Sequence, residues 1–221
     1  MTDDWLIWQL ADSAFPTGSF AHSGGLEAAW QCGRVARGES LSSFITASLT
    51  QTGRGLLHFV IAVHREPTRF VELDELCDAF QSNHVINRAS RAQGKALLLA
   101  ANRIFDNSAL ASFQSIARQS ESPCHLAPLS GIISSAMQMA EEQAGRLFLF
   151  CSLRSLISSA VRLGIVGPME AQALQITQYK RAQELVDDAI ALPHQDAAMT
   201  APILDIMQGM QDRLYSRLFQ S

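Results

Sequence analysis

Apolar residues recur every three to four positions through nearly all of this chain, and no run shows the period of two that marks a half-buried strand. The pattern is clearest between Gly145 and Leu163. At 100° per residue, Leu149, Phe150, Leu153, Leu156, Ile157, Ala160, Val161 and Leu163 share one arc. The opposite arc holds Ser152, Ser155, Ser158 and Ser159 with Arg154 and Arg162, beside Phe148 and Cys151. Small polar groups let a second helix come close, so this stretch is expected to be a central helix covered on most sides. Gly164 and Gly167 end it, and Pro168 suits the first turn of the next helix.

Around this helix the same periodicity predicts a short helix in WLIWQL (5–10). A loop follows, punctuated by Pro16, Gly18, Gly24 and Gly25, with Phe15 and Phe20 as apolar anchors and Ser23 capping a helix that starts near Gly25. A helix over 40–65 is weakened at Gly53 and Gly55, where a kink or break is expected. Further helices are expected over 67–81, 84–105, 108–119, 131–142 and 168–190. In 84–105, Ile86, Leu97, Leu98, Ala101, Ile104 and Phe105 share a face with Gly94, opposite Arg88, Arg91, Lys95 and Arg103. The last helix begins at Thr200-Ala-Pro202 and carries Ile203, Met207, Met210, Leu214 and Leu218 as its stripe. The expected fold is therefore all-α, a single domain over 1–221 of about ten helices around the central one.

Composition narrows the functional classes. Hydrophobic residues make up 48% of the 221 and charged ones 17%, the balance of a well-buried chain rather than a disordered one. A net charge of −4 supplies no field for holding phosphate backbones, which argues against a nucleic-acid partner. The four cysteines, Cys32, Cys77, Cys124 and Cys151, show neither C-x-x-C spacing nor a disulfide framework. The opening residues lack a signal-peptide pattern, and the apolar stretch 147–166 carries two arginines, so neither a leader nor a membrane span is expected and the expected compartment is the cytoplasm.

Candidate chemistry is sparse. Gly18 and Gly24 have the wrong spacing for a phosphate loop, and no lysine follows. Ser19 or Ser23 with His22 lacks both the strand-to-helix elbow and an orienting carboxylate. His58 and His64 lie about 240° apart round a helix and cannot share a metal from one face. Glu72, Asp74, Glu75 and Asp78 read as a solvated, dipole-favoured face. Cys124–His125 is the one adjacent Cys–His pair, too few ligands for a metal unless a dimer doubles them. With no nucleophile–base pair and no cofactor loop, the residues point to a binding protein rather than an enzyme.

Three stretches carry a resemblance. SAVRLGIVGPMEAQ resembles the A-[VI]-[RK]-L-x-x-[LV]-[GS]-x-x-x-[GA]-Q core of the urease accessory protein F family. The loop matches that family's N-terminal signature at Leu10, Pro16, Gly18, Phe20, Ser23, Gly25, Leu26 and Glu27, with His22 where many members have tyrosine. APILDIMQGMQDRLYSRLFQS is similar to the family's terminal segment, Gln211 replacing the usual histidine. NRASRAQGKALL adds a looser match.

The resemblance implies a non-catalytic adaptor without a cofactor that docks on the D or H accessory protein, recruits the GTPase G, and helps couple GTP turnover to nickel insertion into apo-urease, commonly as a homodimer. It implies a docking role for the segments 1–12 and 201–221. Within the terminal segment Arg213, Tyr215, Arg217, Leu218, Phe219 and Ser221 are the candidates. Pro16, Gly18, Phe20, His22 and Glu27 of the loop, and the basic face of Arg88, Arg91 and Lys95, are further candidate partner surfaces. For Arg162 and Leu163 helix packing is the expectation. The alternative reading is a direct metallochaperone holding nickel through His22, Cys124–His125 or His194.

Overall fold

A computed structural model describes residues 4–221 of the chain. Twelve α-helices follow in order: α1 (Asp4–Ala11), α2 (Leu26–Gln31), α3 (Glu39–Arg54), α4 (Leu56–Arg65), α5 (Phe70–Phe80), α6 (His84–Ile104), α7 (Ser108–Gln119), α8 (Leu126–Ala136), α9 (Glu141–Arg162), α10 (Pro168–Thr177), α11 (Tyr179–Ala191) and α12 (Pro202–Gly209). Four short 3₁₀ turns join them, and the described residues contain no strand, so the domain is all-α as its periodicity predicts.

Local chemistry explains most of the boundaries. The 40–65 segment breaks at Gly55, giving α3 and α4. Asn83 caps α6 by accepting from the Val85 N–H at 2.9 Å, and Asn107 does the same for α7 through Ala109. The expected helix over 168–190 is two helices that meet at Gln178, whose buried side chain accepts from Thr46 Oγ1 at 3.0 Å; both lie against α9, and α11 packs on α3 and α4 as well. These two breaks turn about ten expected helices into twelve.

Two expectations need larger corrections. The pattern places a helix over 131–142, but α8 starts at Leu126 and ends at Ala136. Its start is set from outside. The fully buried Asp74 on α5 accepts from the Ser122 hydroxyl at 2.5 Å and from the N–H groups of Cys124 at 2.6 Å and His125 at 2.8 Å, a remote carboxylate on the positive end of the helix. Pro128 lies in the first turn, where a missing N–H is harmless. The second correction is at the C-terminal end. The helix stops at Gly209, a 3₁₀ turn spans Met210–Arg213, and the rest is irregular, so Met210, Leu214 and Leu218 form no helical stripe.

The core is built in two adjoining clusters. One joins α2, α3, α4, α9 and α11 through Leu26, Leu41, Ile45, Leu57, Leu149 and Leu185. The other joins α1, α5, α6, α7 and α8 through Leu10, Phe70, Leu98, Leu110 and Leu129. Helix α4 feeds both: Leu57, Phe59, Val60 and Ile61 enter the first and Val63 the second. Burial is denser in α4, with six of its ten residues buried, and in α8, with seven of eleven, than in α9, with nine of twenty-two. Among the described residues α9 is the one helix long and apolar enough to cross a bilayer, but half of that stretch is packed inside the fold. Ile104, placed on the apolar face of α6 by periodicity, is exposed because the helix ends there.

Candidate functional site

The serine face of α9 receives the N-terminal loop rather than a second helix. Ser155 donates to the carbonyl of Ser19 at 3.2 Å, and Ser159 lies 3.4 Å from the carbonyl of His22. Arg162 donates to the Phe20 carbonyl. The loop is anchored at its start by Phe15, buried and stacked on Phe105 with centroids 6.1 Å apart. Its end requires glycine. Gly25 has a φ of +84°, and a Cβ there would fall 2.5 Å from Gln208 Cγ of α12. Ser23 Oγ accepts from the Glu27 N–H at 3.4 Å, but the N-cap position itself is Gly25, two residues after the expected cap.

Onto this loop folds the C-terminal segment. The Gln220 N–H donates to the Ala21 carbonyl at 2.8 Å, the Ser23 N–H donates to the Ser221 carbonyl at 2.5 Å, and the Ser221 hydroxyl meets His22 Nδ1. At the centre is Glu27, 1% exposed. Its carboxylate accepts from Gln211 Nε2 at 2.7 Å and from the main-chain N–H groups of Leu218 at 2.6 Å and Phe219 at 3.1 Å. Arg162 covers the Phe219 ring at 4.2 Å from its centroid, a cation–π contact that joins α9 to the tail. Helix α6 joins as well, because Asp212 accepts from Arg88 at 2.9 Å and lies 3.1 Å from His84 Nε2. Arg88 holds the Asp212 carboxyl below the usual carboxylate range.

This geometry sorts the candidate residues. Glu27, Phe219 and Ser221 are buried and act inside the molecule, while His22 and Gly18 are half-buried. Burial lowers the His22 pKa, and the nearby Arg88 charge lowers it further. Exposed are Pro16, Phe20, Arg213, Tyr215, Arg217 and Leu218, with Tyr215 fully in solvent. Arg88, Arg91 and Lys95 are exposed on α6; Arg88 is tied to Asp212, and the other two make no ion pair among the described residues. Gln211, Asp212 and Arg162 were not expected to organise this junction. A buried acid at Glu27 demands donors, but nothing local says that they come from more than 180 positions away.

A cavity of about 220 Å³ lies behind the junction, bordered by His22, Ser90, Gln81, Ser155 and Ser221, with no Asp, Glu, Lys or Arg on its wall. Nearby is a constellation invisible in the sequence. His125, wholly buried, has Nε2 2.9 Å from Asp78 and Nδ1 3.0 Å from both Ser90 Oγ and Gln81 Nε2. Ser90 Oγ is also met by the Leu126 N–H at 3.2 Å and Gln81 Nε2 at 3.3 Å. Both lone pairs of that oxygen are therefore engaged, and the group pins α5, α6 and α8 together instead of presenting a nucleophile. The acidic residues of α5 follow the same logic: Asp74 and Asp78 are committed to α8 and His125, and Glu72 to Arg69. His22, Cys124–His125 and His194 do not converge, and no three His, Cys, Asp or Glu among the described residues form a metal-holding group.

Comparison with known proteins agrees with the resemblance. The UreF family model matches residues 35–178. Urease accessory protein F of Oryza sativa subsp. indica is 37% identical over 221 residues, spanning 97% of this chain and 84% of its own length. Urease accessory protein F of Arabidopsis thaliana is also 37% identical, over 98% and 92%. Urease accessory protein UreF of Bacillus sp. (strain TB-90) is 25% identical, over 97% of both.

Proposed function

The chain belongs to the UreF family of urease accessory proteins, and on that premise we propose that it is a non-catalytic adaptor in urease maturation. Membership carries a role in maturation. The finer reading is that a homodimer in the cytoplasm docks on the D or H accessory protein, recruits the GTPase G, and helps to couple GTP hydrolysis to nickel insertion into apo-urease. The docking element in this reading is the turn 213–218.

One observation carries that assignment. The turn is gripped from inside by Glu27 while its side chains face outward, Tyr215 fully exposed and Leu218 53% exposed. An aromatic and an aliphatic anchor beside Arg213 and Arg217, on a backbone already ordered, are what a tight interface needs at low entropic cost. Pro16 and Phe20 of the adjoining loop extend the same surface in the proposal.

The test is capture of the D or H protein by the full chain and by a Tyr215→Ala, Arg217→Ala, Leu218→Ala variant. The expected result is at least about a tenfold loss of affinity with an unchanged circular dichroism melt, since all three side chains are exposed. Undiminished capture by the variant would overturn the docking assignment. Failure of the unaltered chain to capture either protein would overturn the adaptor role itself.

A further inference from the structure

Helix α6 carries no Asp or Glu in its 21 residues. At 100° per residue, Arg88, Arg91, Ala92, Lys95, Leu99 and Arg103 fall within about 120°, and all six are exposed. The stripe runs roughly 22 Å at about 1.5 Å per residue. Arg91 and Lys95 are like charges one turn apart, with no acid on the helix to relieve them. Arginines on several other helices have such relief: Arg54 pairs with Asp188, Arg65 with Glu141 and Arg181 with Glu184. On α6, Arg91, Lys95 and Arg103 form no ion pair among the described residues. Asp78 feels the Arg91 charge, but its carboxylate is already engaged by Asn87 at 2.9 Å and by His125 at 2.9 Å.

The first turns of the helix show what this face accepts. Asp212, from outside α6, lies across Arg88 at 2.9 and 3.2 Å and beside His84 at 3.1 Å. Beyond that carboxylate the three other cations follow, with Leu99, 43% exposed, between Lys95 and Arg103. On a chain of net charge −4, four bases on one helix face make a local field opposite to the overall one, felt within a screening length of ~10 Å. A long polyanion would run off the stripe onto the net-acidic remainder of the chain, whereas a partner helix no longer than α6 would not. We propose that α6 docks an acidic amphipathic helix of a partner protein, its carboxylates on Arg91, Lys95 and Arg103 and an apolar side chain on Leu99. The three bases are spaced i, i+4 and i+12 with Leu99 at i+8, so the partner helix needs its acids and its apolar residue at the same intervals. This surface is separate from the turn 213–218 and stands whether or not that turn docks the D or H protein.

The probe is a synthetic alanine-rich helical peptide with Glu at i, i+4 and i+12 and Leu at i+8, titrated into the isotopically labelled full chain and followed by amide chemical shifts. Its controls are a permuted peptide of the same composition and a peptide with Lys in place of each Glu. The patterned peptide is expected to saturate with a Kd below about a millimolar and to shift amides of α6. Both controls are expected to bind at least about tenfold more weakly, the sum of three exposed ion pairs. An Arg91→Glu, Lys95→Glu, Arg103→Glu variant is expected to reverse the preference and take the Lys peptide over the Glu peptide. The proposal fails if the patterned peptide does not saturate through the millimolar range, if the permuted peptide binds as well, or if the shifted amides lie away from α6. It also fails if an oligothymidylate binds more tightly than the peptide, which would make the stripe a nucleic-acid site. Dissociation of a dimer of the chain by the variant would place a second copy on the stripe and overturn it too. The permuted-peptide comparison and the shift map use the unaltered chain, so they decide the matter even if the variant does not fold.

Discussion

The carboxylate of Glu27 and the main-chain N–H of Leu218 meet at 2.6 Å across 191 positions of sequence. Phe219 N–H and the Gln211 amide complete the same carboxylate. A glutamine in its place keeps the shape but turns an N–H₂ toward buried donors. Glu27→Gln is expected to lower stability by about 3 kcal/mol. Amide exchange at Leu218 and Phe219 should accelerate more than at α4, and equal protection in both proteins would contradict the clamp.

Asp74 does for α8 what Glu27 does for the tail. Three donors, from Ser122, Cys124 and His125, share its two oxygens in a fully buried setting. Asp74→Asn should cost about 2–3 kcal/mol in chemical denaturation, and Asp74→Ala more, because the first N–H groups of α8 lose their acceptor away from water. A change below about 0.5 kcal/mol in either variant would remove the carboxylate from this role.

Gly94 permits the crossing that the Asp74 cap serves. A Cβ on it would lie 2.1 Å from the carbonyl oxygen of Cys124 and 2.8 Å from the carbonyl carbon of His125. Both neighbours are backbone and cannot rotate aside. Gly94→Ala is expected to lose at least about 3 kcal/mol or fail to fold, despite alanine's better helix propensity. A neutral or raised melting temperature would show that α8 can move away from α6.

Acidification between pH 7 and pH 5 should weaken the fold through its buried histidines. Burial lowers the pKa of His22, His58 and His64 from 6.5. Around His58 the Pro193 carbonyl, Asp196 and Asp188 favour the proton and Arg54 opposes it; around His64, Glu141 and the Met139 carbonyl favour it and Arg65 opposes it. In each case desolvation prevails. The unfolded chain then binds the proton more readily, so the stabilisation is complete above about pH 6.5 and is lost as pH falls through the folded pKa. The melting temperature should decline from pH 7 to pH 5, with a shallower slope in a His58→Gln, His64→Gln variant. A flat profile over that range would contradict the neutral state of these histidines.

Much of the fold is legible in local pattern. The bounds of α7, the break at Gly55 and the ends of α6 follow from caps, glycines and apolar spacing. The misplaced start of α8 has a specific cause: its cap is Asp74, about fifty positions earlier, and no local residue announces it. The join at Gln178 and the unwinding after Gly209 are likewise set by what the segments pack against. The candidate site was half visible. Its motifs drew attention to Glu27 and Phe219, but the exposed Tyr215 and the buried Phe219 look equally like anchors on a line of sequence.

The sequence by itself determined an all-helical class and a family, because helical periodicity and local motifs are properties of neighbouring residues. Only the tertiary structure decided which face of each stretch turns inward. It set Glu27 beneath the tail and bound both nitrogens of His125. Burial and hydrogen-bond pairing between distant residues depend on the packing of whole helices, and no spacing along the chain encodes that distance.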